Sequence, residues 1–210
     1  MIPAFPVYLF DVDGTLLDSA ADICGAVSQV LATTSADGVP DSVLRRYIGR
    51  HLYDLFQDVI PGVSQTEMED LLQRYRTNYL AREHRSTKPY PGAADALRHL
   101  GGRKSTATTK GTPTTRIVLE KFGLLDYFDH VQGTDGFPSK PAPDVVWRSL
   151  AGLGAQPEDC LLVGDSAPDM EAGRRAGVKI CAVTYGYGNP EELARWEPDY
   201  WISDLRELVG

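Results

Sequence analysis

The chain has 210 residues, 42% of them hydrophobic, and a formal net charge of −8. This length suits one large domain or a core with an inserted module, and the acidic balance argues against a nucleic-acid-binding protein. The sequence has neither the pattern of a signal peptide nor an apolar run long enough to cross a bilayer, so we expect a soluble, cytoplasmic protein without membrane contact.

The first predicted element is an apolar strand, Val7–Val12, that leads two carboxylates into a glycine turn. Because residues i and i+2 of an extended chain lie on the same face, Asp11 and Asp13 are expected to lie close together. Two ionised carboxylates at that distance raise each other's pKa unless a cation lies between them. Gly14 permits the sharp turn that follows. The sequence therefore predicts a site for a divalent metal with oxygen ligands at the end of this strand.

The following segment, residues 18–86, is predicted to be entirely helical. Ser19 and Ser64 each precede an acidic residue by three positions, the spacing of a capping box. The predicted helices run from Ser19 to Leu31, from Pro40 to Ile48, from Leu52 to Val59, and onward from Ser64. A helical insert directly after the first strand is well placed to cover the carboxylates. We therefore expect a core of residues 1–17 and 87–210 and an inserted helical domain of residues 18–86.

Strands and helices alternate in the rest of the chain. The predicted strands are Lys104–Thr108, Asp129–Gln132, Cys160–Gly164, Lys179–Val183 and Tyr200–Ser203. The predicted helices are Ala93–Leu100, Thr114–Phe122, Pro143–Leu150, Pro168–Ala176 and Glu191–Trp196. The strongest strands are continuous apolar runs, which is typical of parallel strands covered on both faces. The pattern predicts an α/β fold, a doubly wound Rossmann-like parallel sheet whose site lies at the carboxyl ends of the strands.

Three polar features follow later strands of this predicted sheet. Thr108 ends its strand, where a hydroxyl and helix-start amides can bind phosphate oxygens. Lys140 lies in a loop that neighbouring prolines stiffen. Asp165 and Asp169 follow another strand and are one helical turn apart if a helix begins there. We expect these groups to meet Asp11 at one edge of the sheet.

In this order the motifs Asp-x-Asp-Gly-Thr, Thr, Lys-Pro and Gly-Asp-Ser-x-x-Asp resemble those of the haloacid dehalogenase superfamily of phosphatases, over essentially the whole chain. The helical segment resembles the C1 type of cap domain in that family. Asp18-Ser19, together with Arg45-Arg46-Tyr47-Ile48-Gly49, resembles the phosphoglycolate phosphatase-like branch.

The resemblance implies a role for each carboxylate. Asp11 would be the nucleophile that forms an aspartyl-phosphate, and Asp13 would protonate the leaving oxygen and then activate water. Mg²⁺ would be held by Asp11, the Asp13 carbonyl and Asp165. Asp169 would belong to the same metal site, orienting Lys140 or a metal-bound water.

Phosphoryl and substrate contacts are implied as well. Thr108 and Lys140 would bind the phosphoryl oxygens, and Lys140 would also offset the charge on Asp11. The predicted strand Lys104–Thr108 is unusually polar for a buried parallel strand. If its register is shifted, Thr106 or Thr109 takes the place of Thr108 in binding phosphoryl oxygens. In the cap, the arginines that flank Gly49 are candidates for binding a substrate carboxylate, with a solvated helix face as the alternative. They are Arg45, Arg46 and Arg50.

The function implied is a Mg²⁺-dependent phosphatase for a small phosphorylated metabolite, with 2-phosphoglycolate as a first candidate. Sugar phosphates, nucleotides and pyrophosphate stay open, as does the choice between monomer and homodimer. Asp13 argues against a dehalogenase, and the absence of lysine before Lys88 argues against a phosphonatase. A β-phosphoglucomutase-like isomerase and a catalytically silent binding protein are the remaining alternatives.

Overall fold

The strands of the structure, a computed structural model that describes residues 2–209, form one parallel sheet and one short ribbon. In chain order they are β1 (Val7–Phe10), β2 (Leu17–Asp18), β3 (Lys88–Pro89), β4 (Arg103–Thr106), β5 (Cys160–Gly164), β6 (Lys179–Val183) and β7 (Tyr200–Ile202). The sheet has the order β4-β1-β5-β6-β7, and each neighbouring pair is parallel. β2 and β3 pair antiparallel in the ribbon.

The helices occupy the stretches between these strands. They are α1 (Ala20–Leu31), α2 (Asp41–Leu44), α3 (Leu52–Val59), α4 (Gln65–Ala81), α5 (Ala93–His99), α6 (Thr112–Lys121), α7 (Asp144–Leu153), α8 (Ala167–Ala176) and α9 (Pro190–Ala194). Short 3₁₀ turns cover Arg45–Tyr47, Leu125–Tyr127, Pro157–Asp159 and Leu205–Leu208. Within residues 2–209, no helix combines the length and the apolar character needed to span a membrane.

The chain divides into two compact units, with boundaries between Asp18 and Ser19 and between Thr87 and Lys88. The first unit contains the sheet, and α1–α4 make up the second, Ser19–Thr87. In the first unit, successive residues of β1 enter different cores. Tyr8 and Phe10 pack on one side of the sheet with α5 and α6, whereas Val7 and Leu9 pack on the other with α7 and α8. Burial on both faces explains the continuous apolar runs and confirms the predicted doubly wound α/β fold.

The strand β4 differs from its prediction because it lies at the edge of the sheet. It spans Arg103–Thr106 rather than Lys104–Thr108, and its polar side chains bond to the 130–132 segment. Ser105 Oγ lies 3.0 Å from His130 Nδ1, and Thr106 Oγ1 donates to the Gln132 carbonyl at 2.9 Å. The strand predicted at Asp129–Gln132 is wrong, since that segment forms only an isolated bridge between His130 and Ser105.

In the second unit, one of the two predicted capping boxes is present and the other is not. The capping box of Ser64 and Glu67 is confirmed, with both of its hydrogen bonds present at the start of α4. Ser19 precedes α1 but makes no side-chain capping bond, and Asp22 is used elsewhere. The Asp22 carboxylate accepts from Arg82 Nε at 3.1 Å and from the Thr87 hydroxyl at 2.8 Å. A tertiary contact therefore takes the acidic group that the sequence pattern assigned to a helix cap.

Candidate active site

Asp11 and Asp13 lie at the carboxyl end of β1, in a turn that buries both side chains. The Asp11 backbone N–H donates to the Val163 carbonyl at 2.9 Å, so the residue continues the pairing of β1 with β5. Leu17 N–H donates to the Val12 carbonyl at 2.9 Å and closes the turn. The strand ladder thus fixes the backbone of Asp11, as expected for a residue at a strand end.

Gly14 shapes this turn for two reasons. Its φ is +94°, in the region that favours glycine. A Cβ at this position would also stand 2.6 Å from the carboxylate carbon of Asp165, which is closer than any real Cβ contact. The glycine therefore permits both the turn and the approach of a second strand end.

Lys140 is the buried cation at the centre of the site. Its Nζ donates to Asp11 Oδ1 at 2.7 Å, to the Ala107 carbonyl at 2.9 Å, and to Asp169 Oδ1. These three acceptors match the three N–H bonds of an ammonium group. Lys140 therefore holds one oxygen of Asp11 in place and opposes the charges of two carboxylates.

Asp165 and Asp169 enter the site from the segment between β5 and α8. Asp165 accepts from Thr15 Oγ1 at 3.2 Å and from the Tyr187 backbone N–H at 2.8 Å. The second oxygen of Asp169 accepts from the Ser166 backbone N–H at 2.9 Å and from its hydroxyl at 2.5 Å, a capping box at the start of α8. Asp169 is therefore at once a helix cap and a partner of Lys140.

The buried charges shift one another's pKa values. Burial raises the pKa of Asp11 to about 7; Lys140 opposes this rise, and the charges of Asp169 and Asp13 add to it. Burial likewise raises the pKa of Asp165 well above its usual range, with further contributions from Asp169 and Asp11. Although burial lowers the pKa of Lys140, the two carboxylates it contacts raise it above its usual value. Asp11, Asp165 and Asp169 together hold more negative charge than Lys140 offsets.

The threonines at the end of β4 differ in what their side chains contact. Thr106 Oγ1 donates to the Gln132 carbonyl and accepts from its N–H, both at 2.9 Å, so this hydroxyl is committed to the fold. Thr108 is fully buried and accepts from the Lys110 N–H at 3.3 Å, while Thr109 is partly exposed. Thr108 also lies next to Ala107, whose carbonyl contacts Lys140. Both side chains are fully buried, so position in the chain and the bonds of Thr106 to Gln132 favour Thr108 over Thr106 as the hydroxyl of the site.

Comparisons with known proteins identify the family of this chain. The sequence profile of the family described as haloacid dehalogenase-like hydrolase matches residues 8–183, which is most of the chain. The chain belongs to the haloacid dehalogenase-like hydrolases. The resemblance predicted from the motifs is therefore confirmed.

Several curated relatives of this haloacid dehalogenase-like hydrolase are phosphoglycolate phosphatases. That of Aquifex aeolicus is 35% identical over 97% of this chain and 94% of its own length. Phosphoglycolate phosphatase 1 of Pseudomonas aeruginosa is 33% identical over 96% of this chain and 77% of its own. The solved structure of a haloacid dehalogenase-like hydrolase from Bacteroides fragilis superposes with a TM-score of 0.91, at 30% identity over 98% of this chain and all of that one. This hydrolase is accordingly a phosphatase, a phosphoric monoester hydrolase.

A divalent cation fits the carboxylates of this hydrolase. Asp11, Asp165 and Asp169 each present a ligand oxygen, and these atoms all lie within 4.8 Å of one another. Asp11 Oδ2 is buried and has no hydrogen-bond partner among residues 2–209, an arrangement that a protein rarely leaves uncompensated. If Asp13 and its partner Lys110 are counted with them, four carboxylates face two lysines, Lys110 and Lys140, and the remaining two negative charges match a divalent cation. Carboxylate oxygens are the donors that Mg²⁺ prefers.

The side chain of Asp13, a residue predicted to belong to the metal site, contacts a lysine in this hydrolase. Its Oδ2 lies 3.1 Å from the Nζ of Lys110, and both side chains are largely buried. Lys110 is not among the site residues that the sequence motifs predict. The usable signal was its position, two residues after Thr108 at the same strand end, where side chains of parallel strands converge.

The three arginines proposed for substrate binding belong to the second unit of the hydrolase. All three are exposed. Arg45 pairs with Asp41 at 2.6 Å, four residues earlier, and Arg50 lies 6.0 Å from the centre of the Tyr47 ring. These contacts are local to the 41–50 segment.

Proposed function

We propose that the protein is a Mg²⁺-dependent phosphatase that hydrolyses a small phosphorylated metabolite through an aspartyl-phosphate, with 2-phosphoglycolate as the first candidate. The observation that carries the proposal is the state of Asp11. Lys140 holds its Oδ1 at 2.7 Å, whereas its buried Oδ2 has no hydrogen-bond partner in the described part of the chain. A carboxylate oriented by a cation and left with one unsolvated oxygen suits a nucleophile. The names of the curated relatives support the candidate substrate.

In the first step, an oxygen of Asp11 attacks phosphorus as the P–O bond to the alcohol breaks. The bonding electron pair leaves with the ester oxygen, to which Asp13 gives a proton. In the second step, a water oxygen attacks the phosphorus of the aspartyl-phosphate while Asp13 takes the proton of that water. The Asp11 carboxylate is restored and inorganic phosphate is released.

The other residues of the site bind and hold these groups. Thr108, and in second place Thr109, would donate hydrogen bonds to phosphoryl oxygens. The donors of Lys140 are taken by Asp11, Asp169 and Ala107, so a phosphoryl oxygen has to share or displace one of these contacts. We propose that Lys140 mainly orients Asp11 and offsets the charge of the Asp11 carboxylate.

The metal ligands proposed are the side chains of Asp11 and Asp165 and the carbonyl of Asp13. When bound, Mg²⁺ would supply positive charge that offsets the phosphoryl oxygens and the surrounding carboxylates. We place Asp169 in the same site mainly as the residue that orients Lys140, because its Oδ1 accepts from the Lys140 ammonium and its other oxygen caps α8.

Residues 18–86 are proposed to act as a cap domain that sets specificity, with residues 1–17 and 87–210 as the catalytic core. The arginines of the cap are exposed, and we propose them as candidates for binding the part of the substrate distant from phosphorus.

The direct test is phosphate release with Mg²⁺ from a panel that contains 2-phosphoglycolate, sugar phosphates, nucleoside monophosphates and pyrophosphate. Strong preference for 2-phosphoglycolate would support the proposed substrate. Preference for another compound would replace that substrate and retain the mechanism. No phosphate release from any member, with Mg²⁺ bound, would contradict the proposed function.

Removal of metal is expected to lower turnover by about 100-fold or more, and Mg²⁺ is expected to restore it, because the carboxylate cluster then lacks its compensating charge. Dialysis against a chelator, followed by titration with Mg²⁺, measures this effect. The melting temperature should rise with Mg²⁺ concentration, since the ion binds only the folded site. Asp165→Asn should weaken this thermal response, and turnover that is independent of metal would contradict the proposed site.

Replacing Arg45, Arg46 or Arg50 singly by alanine is expected to change the ratio of kcat/KM between panel substrates more than the rate on an aryl phosphate. A side chain that reads the distant part of a substrate contributes nothing when that part is missing. Rates on both kinds of ester give the comparison. Equal losses on both would mean that these arginines have only a structural role.

A further inference from the structure

Lys110 is held in the active site by its backbone. The Lys110 carbonyl accepts from the Thr134 N–H at 3.1 Å, and its own N–H donates to Thr108 Oγ1 at 3.3 Å. On the far side of the loop, the Gly133 N–H donates to Thr112 Oγ1 at 2.8 Å. The loop that carries Lys110 is therefore tied to the 133–134 segment, and the base of its side chain is fixed.

The ion pair that Lys110 makes with Asp13 is unlike the surface pairs of this chain. The Nζ to Oδ2 distance is 3.1 Å, and the side chains are only 8% and 10% exposed. In contrast, the pair of Lys88 and Asp18 is 3.8 Å long, and the lysine side chain is 74% exposed. Removing a lysine from water has a desolvation cost that ion pairing often fails to offset, so stability alone gives little reason for this arrangement.

The two lysines of the site serve different carboxylates. The Nζ of Lys140 bonds to Asp11, Asp169 and Ala107, and so belongs to the nucleophile. Lys110 lies against Asp13, the residue that we propose to protonate the leaving oxygen. Its positive charge therefore lies on the side of the site that receives the alcohol, rather than on the side of the nucleophile.

The distance between these groups limits what the alcohol can carry. An ester oxygen protonated by Asp13 Oδ2 comes within about 3 Å of that atom, so it lies no more than about 6 Å from the Lys110 ammonium. A carboxylate on the carbon that bears the ester oxygen places its own oxygens about 3 Å from that ester oxygen. Such a carboxylate can reach Lys110 at hydrogen-bond distance while Asp13 contacts the ester.

We propose that Lys110 is a specificity-determining residue that binds a carboxylate on the leaving group, and that the preferred substrates are phosphate esters of small 2-hydroxy acids. This inference rests on the proposed function, since it uses Asp13 as the group that meets the leaving oxygen. It assigns a carboxylate next to the ester to Lys110, and leaves the arginines of the 45–50 segment to more distant groups.

The test compares three esters in the full chain with Mg²⁺: 2-phosphoglycolate, 2-hydroxyethyl phosphate, in which a neutral alcohol replaces the carboxylate, and 3-phosphooxypropionate, in which the carboxylate lies one carbon further away. Lys110→Met should reduce the preference for 2-phosphoglycolate over 2-hydroxyethyl phosphate by about 10- to 100-fold, the scale of one charged hydrogen bond. Most of this change should be in KM. Lys110→Arg should restore part of the preference, and Lys179→Met, at the amino end of β6, should not alter it.

Other outcomes would overturn the proposal. Equal losses of kcat/KM on all three esters would make Lys110 a residue that only positions Asp13. An unchanged preference in Lys110→Met, or a wild-type preference for the longer acid, would also refute it. If the wild type releases no phosphate from any ester, the proposed function is wrong. The role of Lys110 is then tested by ligand binding alone. In an Asp11→Asn background, Lys110→Met should weaken the binding of 2-phosphoglycolate about tenfold more than that of 2-hydroxyethyl phosphate, as measured by calorimetry. Equal weakening would refute it.

Discussion

Asp11→Asn is expected to lower kcat by at least about 10⁴-fold, the scale seen when a covalent nucleophile is removed. The amide nearly matches the carboxylate in size, so the buried position at the end of β1 can hold it. It carries no negative charge, however, and its oxygen is a poor nucleophile toward phosphorus. Phosphate release under single-turnover conditions measures the loss, and mass spectrometry of quenched protein should show a phosphorylated wild type and an unmodified variant.

The stability of the same variant separates chemistry from folding. The pKa of Asp11 is raised from 3.8 to about 7, so the folded protein binds a proton more tightly than the unfolded chain does. Without metal, this group therefore destabilises the wild type progressively as pH rises from about 4 to about 7. Asp11→Asn lacks that contribution, and its free energy of unfolding at pH 7 should equal or exceed that of the wild type. Asp126→Asn, an exposed exchange of the same kind, is the control. Normal turnover in Asp11→Asn would refute the aspartyl-phosphate mechanism.

The sequence predicts those parts of the fold that depend on one local pattern. The strands Cys160–Gly164 and Lys179–Val183 have the predicted bounds because strands that are buried on both faces consist of a continuous run of apolar residues. The Ser64 capping box was predicted because its two partners are three residues apart. The proximity of Asp11, Lys140 and Asp169 is predictable for a similar reason, since parallel strands bring their carboxyl ends to one edge of the sheet.

Features that depend on distant partners escaped prediction. The ribbon of β2 and β3 has only two residues in each strand, and its partners are about seventy positions apart, so no periodicity marks it. Asp22 was assigned to a helix cap, but it binds Arg82 and Thr87 across the second unit. Lys110 likewise became notable only through its distance to Asp13. In each case the side chain alone is compatible with several roles, and its tertiary neighbour selects one.

Lys140→Met is expected to reduce both turnover and stability. The variant leaves Asp11 and Asp169 buried without their shared cation. Breaking a buried ion pair by removing one partner costs about 3–5 kcal/mol of unfolding free energy. Lys140 also opposes the rise in the pKa of Asp11, so its loss should raise that pKa further and leave less ionised nucleophile at pH 7. The acid limb of the pH–rate profile should therefore shift to higher pH, and kcat at pH 7 should fall by about 100-fold or more.

Denaturant unfolding of metal-free protein at two pH values tests the physical cause of this instability. Because the unpaired carboxylates become neutral when protonated, the variant should be closer to the wild type at pH 5 than at pH 8. Lys104→Met is the matched control, since Lys104 is also buried but its Nζ donates to a backbone oxygen, the Gly102 carbonyl at 3.1 Å, rather than to a carboxylate. Adding Asp169→Asn to Lys140→Met should restore part of the stability, because one buried charge is removed together with its partner. A loss of stability that is the same at both pH values and is not reduced by Asp169→Asn would show that Lys140 contributes by packing rather than by charge.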